Sequence, residues 1–189
     1  MAVFITGASS GIGQALAWHY ARAGHTLGLV ARRGERLAQL VEALPGQHYS
    51  YVLDVLDRGA LHQAAREFEA AVGAVDVVIA SAGVSAGTLT ETVADFEVFE
   101  RIFAVNVMAT MATFEPFIAG MSERRSGTLV GISSVAGVRG LPGAGAYSAS
   151  KAAVTTYCES LRLELKPHGV SVVTIAPGYV QSEVTAKNP

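Results

Sequence analysis

Short runs of aliphatic and β-branched residues alternate along this chain with longer segments whose apolar positions recur every three or four residues. Ala2–Thr6 predicts a first strand, and Gly11–Ala23, closed by Gly24, a helix. The same reading predicts a strand over Thr26–Ala31, a helix over Arg36–Ala43 ended before Pro45, a strand over His48–Val55 and a helix over Arg58–Val72. A fourth strand follows over Val75–Ala80. Helical periodicity then covers Phe96–Met121, with a break or kink expected near Pro116. Gly127–Ser133 predicts a fifth strand, Tyr147–Lys166 a long helix stopped by Pro167, and Val170–Ala176 a sixth strand. Near-continuous apolar strands separated by helices are buried on both faces, so they run parallel. Right-handed crossovers then make a doubly wound parallel sheet, a three-layer α/β/α sandwich. No repeat or linker divides residues 1–189, which predicts one domain.

Composition agrees with a folded core. Half of the 189 residues are hydrophobic and the formal net charge is −2, which excludes a disordered chain. That balance gives no footing for nucleic acid or an anionic membrane surface. Arg124–Arg125 reads as a solvated helix end. The single cysteine, Cys158, allows no internal disulfide and suits a reducing compartment. The histidines at 19, 25, 48, 62 and 168 are scattered, so no metal site is expected. The N-terminus carries no basic leader, and no apolar run approaches the roughly 20 residues of a membrane helix, so a cytoplasmic protein is expected.

In a doubly wound sheet, ligands bind beyond the carboxyl ends of the strands. Those positions here are Gly7–Gly13, Arg32–Arg33, Ser81–Gly83, Ser133–Ser134 and Pro177–Ser182. Thr6–Gly13 joins the first strand to the first helix. Gly7 permits the tight turn, Gly11 the approach of a diphosphate, and Gly13 close packing of helix on strand. The helix N-terminus offers N–H groups to the anion, with Ser9, Ser10 and Ile12 beside it. A plain strand–helix turn has the same glycines, but strand before and helix after favour a dinucleotide-binding, Rossmann-type domain. After the second strand the chain reads Ala31-Arg32-Arg33, with no acidic residue for a ribose 2′-hydroxyl. A guanidinium there suits a 2′-phosphate, with Arg32 ahead of Arg33, so NADP(H) is expected over NAD(H). Asp54 and Val55 end the third strand; Asp54 is read equally as an adenine contact and as a cap for the next helix.

Tyr147 and Lys151 lie four residues apart (151 − 147) on one face of the last long helix. A phenol ordinarily holds its proton to pH ~10, and a neighbouring ammonium favours the phenolate. Such a pair can exchange a proton with a substrate oxygen near neutral pH. By chance alone an exposed helix pair is commoner. Ser134, thirteen residues earlier (147 − 134), can hold the substrate oxygen, with Ser133 as its neighbouring alternative. Asn106 sits among Phe103, Ala104, Val105 and Val107 and needs partners there. It reads either as a buried, helix-bending amide or as a station holding water between Lys151 and solvent.

Thr6–Gly13, Asn106, Ser134, Tyr147, Lys151 and Pro177-Gly178 occur in the order and spacing of the short-chain dehydrogenase/reductase family, and the resemblance covers essentially the whole chain. It implies hydride transfer between a nicotinamide cofactor and a carbonyl or secondary alcohol substrate. It implies Tyr147 as acid/base, Ser134 as substrate orienter, Lys151 as tuner and ribose binder, and Asn106 in a proton relay. Ser81, Ala82, Gly83, Pro177, Gly178, Val180 and Ser182 would flank the nicotinamide. Three departures stand out. Ser81 replaces the family's usual Asn, Ser10 lacks the basic charge of some NADP-dependent members, and the chain stops at Pro189, where members continue to a seventh strand. A missing C-terminal part is therefore expected. The resemblance also implies a homo-oligomer: a homodimer paired through the two long helices, or a tetramer that would use the missing C-terminal elements. A non-catalytic dinucleotide sensor is the competing reading, and a nucleotide-sugar epimerase a third, disfavoured by the glycine spacing. The substrate is not specified; Val138–Gly143 is expected to line its pocket.

Overall fold

The protein is described over residues 1–180 in a computed structural model. Six strands, β1 (Ala2–Thr6), β2 (Thr26–Ala31), β3 (Tyr49–Val52), β4 (Val77–Ala80), β5 (Thr128–Ile132) and β6 (Ser171–Ile175), form one sheet in the order β3-β2-β1-β4-β5-β6. Every neighbouring pair is parallel. The order reverses between β1 and β4, which is the switch point where such sheets open a crevice. Helices α1 (Gly11–Arg22), α2 (Gly34–Ala43), α3 (Arg58–Val72), α4 (Asp95–Phe103), α5 (Ala109–Glu123) and α6 (Gly145–Leu165) cover the two faces.

Alternation along β1 divides the core. Phe4 points to one face, where it joins Phe68, Phe114 and Phe117; Val3 and Ile5 point to the other, against Ala17, Ala21, Leu37 and Leu40. Gly28 on β2 leaves room for the first cluster. A Cβ there would stand 2.8 Å from the Phe4 ring and 2.9 Å from Phe68.

The third strand is shorter than expected. His48 lies outside it, its Nδ1 accepting from the Leu27 N–H at 3.3 Å and its Nε2 2.9 Å from the Pro45 carbonyl. Asp54 turns the chain away at the other end by accepting from Leu56 N, and the cap of α3 is Asp57, not Asp54, accepting from Ala60 N at 2.9 Å. The long helical segment is interrupted at a π turn, Ala104–Met108, rather than at Pro116, which sits inside α5. Thr110 Oγ1 donates to the Asn106 carbonyl at 2.8 Å, and Thr113 Oγ1 to the Ala109 carbonyl at 2.7 Å. The whole stretch Asp95–Glu123 is long and apolar enough to cross a membrane by length and composition, contrary to the expectation from apolar runs alone. Scattered charges such as Glu100 and Glu115 break those runs without making the stretch polar. Its inner face, including Ile102, Phe114, Phe117 and Met121, is buried in the protein.

Candidate active site

A cleft of about 690 Å³ opens beyond the carboxyl ends of the strands, with the glycine loop at one end and Tyr147 and Lys151 at the other. At the first end, Gly7 and Gly11 take φ of 70° and 55°. A Cβ on Gly7 would lie 2.7 Å from Ala82 Cα, and one on Gly13 would lie 2.4 Å from the Gly7 carbonyl oxygen. Only glycines allow this loop to fold flat between β1, β4 and α1. Ser10 occupies the N-cap of α1 without a side-chain cap bond. The first-turn N–H groups have no partner within the helix and suit an anion. This cradle fits the diphosphate of a dinucleotide.

Arg32 and Arg33 are adjacent and go different ways. Arg32 Nη1 lies 3.4 Å from Asp54 Oδ2, half-exposed at the cleft edge. Arg33 reaches back to the glycine loop, its Nε and Nη2 donating to Ser9 Oγ at 3.3 and 3.2 Å. Both arginines, Ser9, Asp54 and Val55 line the cleft. The residue that sequence reasoning placed second thus makes the closer link to the loop. Arg32 stands in a bend after β2 and Arg33 at the N-cap of α2, and no spacing rule says which of two such side chains faces the ligand.

At the other end, Lys151 is 6% exposed and its Nζ donates to the Ile132 carbonyl at 2.8 Å. Burial pushes its ammonium down from 10.5 to about 8. Nζ lies 5.8 Å from the centre of the Tyr147 ring. Ser133 and Ser134 both line the cleft but differ in their bonds. Ser133 Oγ lies 2.8 Å from the Lys151 carbonyl and 2.7 Å from Thr155 Oγ1, which commits it to α6. Ser134 caps the short 3-10 turn Val135–Gly137, its Oγ accepting from Ala136 N at 3.1 Å. Its own O–H remains available to a ligand.

Asn106 is in the π turn, 1% exposed, and does not line the cleft. Its Oδ1 accepts from Val84 N at 2.8 Å, and its Nδ2 donates to the Val84 carbonyl and to Ser150 Oγ, each at 3.0 Å. The side chain is a brace behind the cleft. Gly83 packs close to both Asn106 and Lys151: a Cβ there would stand 3.4 Å from Asn106 Oδ1 and 3.6 Å from Lys151 Nζ.

Ser81, Ala82, Gly83, Pro177, Gly178 and Val180 line the cleft; Ser182 lies outside the described residues. Val84, Ser85 and Val105 also line it, and sequence reasoning missed them. Their only signal was adjacency to Gly83 and Asn106. Val138–Gly143 does not line the cleft. It is an exposed loop tied to Thr88, whose N–H donates to the Gly143 carbonyl at 2.8 Å. Among the described residues no cluster of three or more His, Cys, Asp or Glu could hold a metal.

A doubly wound sheet with a glycine cradle and a Tyr–Lys pair at its switch point defines a dinucleotide-dependent oxidoreductase of the α/β class. The sequence profile of the short chain dehydrogenase family matches residues 1–189, and the chain belongs to that family, whose members bind a nicotinamide cofactor. An uncharacterized oxidoreductase of Myxococcus xanthus is 41% identical over 187 residues, covering 97% of this chain and 74% of that one. Among solved structures, a short-chain dehydrogenase of Streptomyces avermitilis superposes with a TM-score of 0.90 at 35% identity, over 96% of this chain and 67% of its own. An NAD+-bound xylitol dehydrogenase gives a TM-score of 0.86 at 28% identity, over 94% and 70%.

Proposed function

We propose that the protein interconverts a carbonyl and a secondary alcohol, using NADP(H) in preference to NAD(H), with Tyr147 as general acid/base. The observation that carries this reading is the placement of Tyr147, Lys151 and Ser134 in the same cleft as the glycine cradle. When bound, the cofactor supplies or accepts the hydride. The chain's own residues handle the proton. The Ser134 O–H donates to the substrate oxygen and fixes its place. The Tyr147 phenol gives that oxygen its proton in reduction and takes it in oxidation. The Lys151 ammonium, held by the Ile132 carbonyl, keeps positive charge beside the phenol. Its low exposure also keeps bulk water from that side.

The preference for a 2′-phosphate is supported by Arg33 on Ser9 and by Arg32 at the same rim, with no acidic residue directly after β2. The xylitol dehydrogenase relative carries NAD+, so the fold alone does not set the choice. Tyr147→Phe removes only the hydroxyl. Turnover is expected to fall roughly 10²-fold or more while NADPH still binds. Unchanged turnover refutes the role of Tyr147, and a clear preference for NADH over NADPH refutes the cofactor assignment.

A further inference from the structure

Ser150 lies three residues after Tyr147 (150 − 147) on α6 and is 0% exposed. It touches neither end of the cleft, yet it joins two bonds that lead there. Its Oγ donates to the Tyr147 carbonyl at 2.7 Å and accepts from Asn106 Nδ2 at 3.0 Å. The Asn106 amide is oriented by Val84, whose N–H and C=O meet Oδ1 and Nδ2 respectively. That pairing leaves one amide hydrogen, and Ser150 is its acceptor. The single Ser150 proton then goes to Tyr147. Donors and acceptors match in one arrangement only.

The start of α6 is tied to Thr88, whose N–H donates to the Gly143 carbonyl at 2.8 Å and whose Oγ1 accepts from Ala146 N at 3.5 Å, but neither bond reaches the Val84 wall of the cleft. The helix begins at Gly145, its N-cap Ala144 offers no side-chain bond, and Gly143 precedes it with φ of 71°. A serine bonding back to its own helix is commonplace and by itself says nothing about function. Here the same oxygen also receives a buried amide from a different element. The chain of bonds runs from the Val84 backbone, on one wall of the cleft, to the turn that carries Tyr147 on the other.

We propose that Ser150 is a positioning residue that sets Tyr147 against the Val84 wall through Asn106. The proposal rests on the reading of Tyr147 as the acid/base. A phenol displaced by a fraction of an ångström still binds its ligands but meets the substrate oxygen less often in the reactive geometry.

The test measures NADPH oxidation with phenanthrenequinone and a panel of ketones and β-keto esters, in the parent and in Ser150→Ala, Ser150→Thr, Ser148→Ala and Tyr147→Phe. Ser150→Ala is expected to lower kcat about tenfold and to leave both KM values within about twofold. Ser150→Thr, which restores the hydroxyl, is expected to recover most of the lost kcat. Ser148 is in the same turn, buried, and its Oγ has no partner among the described residues, so Ser148→Ala is expected to leave kcat unchanged. If Ser150→Ala does not fold, Ser150→Cys keeps the volume with a weaker donor and is expected to show the same loss in kcat. Parental kcat in a folded Ser150→Ala or Ser150→Cys protein, a loss carried by KM, or no recovery with Thr overturns the proposal. An active Tyr147→Phe overturns the acid/base reading, and this proposal with it. An inactive Tyr147→Phe beside a fully active Ser150→Ala overturns this proposal alone. A parent that oxidises no NADPH with any probe overturns both.

Discussion

Replacing Lys151 by Met tests the energetics of the cleft without any substrate. The side chain is 6% exposed, and burial lowers its ammonium from 10.5 to about 8. That lowering, from 10.5 to about 8, corresponds to about 3 kcal/mol by which folding disfavours the charged form. At pH 7 the group is charged in both the folded and the unfolded chain, so nearly all of that penalty is present. Between pH about 8 and 10.5 the folded chain has released the proton and the unfolded chain has not. The unfolded chain then binds more protons, and the stability of the parent rises with pH across that window. Met keeps the aliphatic stem and has no titration. It also leaves the Ile132 carbonyl without its bond from Nζ, which offsets part of the gain. Lys151→Met is therefore expected to be about 1–3 kcal/mol more stable than the parent at pH 7. The gap should shrink by about 1 kcal/mol by pH 9. Urea unfolding of both proteins at pH 7, 8 and 9, read by circular dichroism, measures it. Tyr157 and Cys158, both pushed up mainly by burial, are common to the two proteins and cancel in the difference. A parent more stable than the variant at pH 7, or a gap that holds constant or widens toward pH 9, refutes the reasoning. The variant should also lose turnover, so stability and activity would move in opposite directions.

Substitutions in the glycine loop, at the cleft rim and in the core each have an expected outcome. Gly13→Ala places a methyl against the Gly7 carbonyl and should weaken NADPH binding about tenfold or more. Fluorescence titration checks this, and parental affinity would show that the loop yields without cost. Arg33→Ala should raise KM for NADPH by about tenfold while changing KM for NADH little. Equal changes for the two cofactors would place Arg33 away from the 2′-phosphate. Gly28→Ala forces a methyl between Phe4 and Phe68 and should destabilise the protein by about 1–3 kcal/mol. A thermal melt within a degree of the parent would mean the two rings repack freely.

The strands that read most clearly, β1 and β2, are apolar runs bounded by glycine or by charge, and both are flanked by neighbours on each side in the sheet. β3 read too long because His48 and Leu53–Val55 continue its apolar or mixed pattern. Leu53 N–H still reaches the Ala31 carbonyl, but the chain then turns between Asp54 and Asp57, and His48 gives its side chain to Leu27 and Pro45; a periodicity registers neither. The π turn was not legible for a related reason. A five-residue spacing inside Phe96–Met121 still places apolar residues inward, and Pro116 was the more visible signal. At the site, the glycines, Ser134, Tyr147 and Lys151 were legible because strand ends and a fixed helical offset locate them. The contacts of Arg33 and Ser150 were not. Each depends on which way a side chain turns and on a partner 24 or 44 residues away in sequence.

The π turn at Ala104–Met108 is a matter of chain length as well as of bonding. One residue added to an α-helix would rotate everything after it by about 100°. A π turn absorbs that residue locally, so α4 and α5 keep their inward faces. Removing a single residue from the turn would restore a regular helix with Phe114, Phe117 and Met121 still inward. Asn106 would lose its station behind Gly83. The brace can thus be gained or lost by a change of one residue in length, with the sheet and its core left standing.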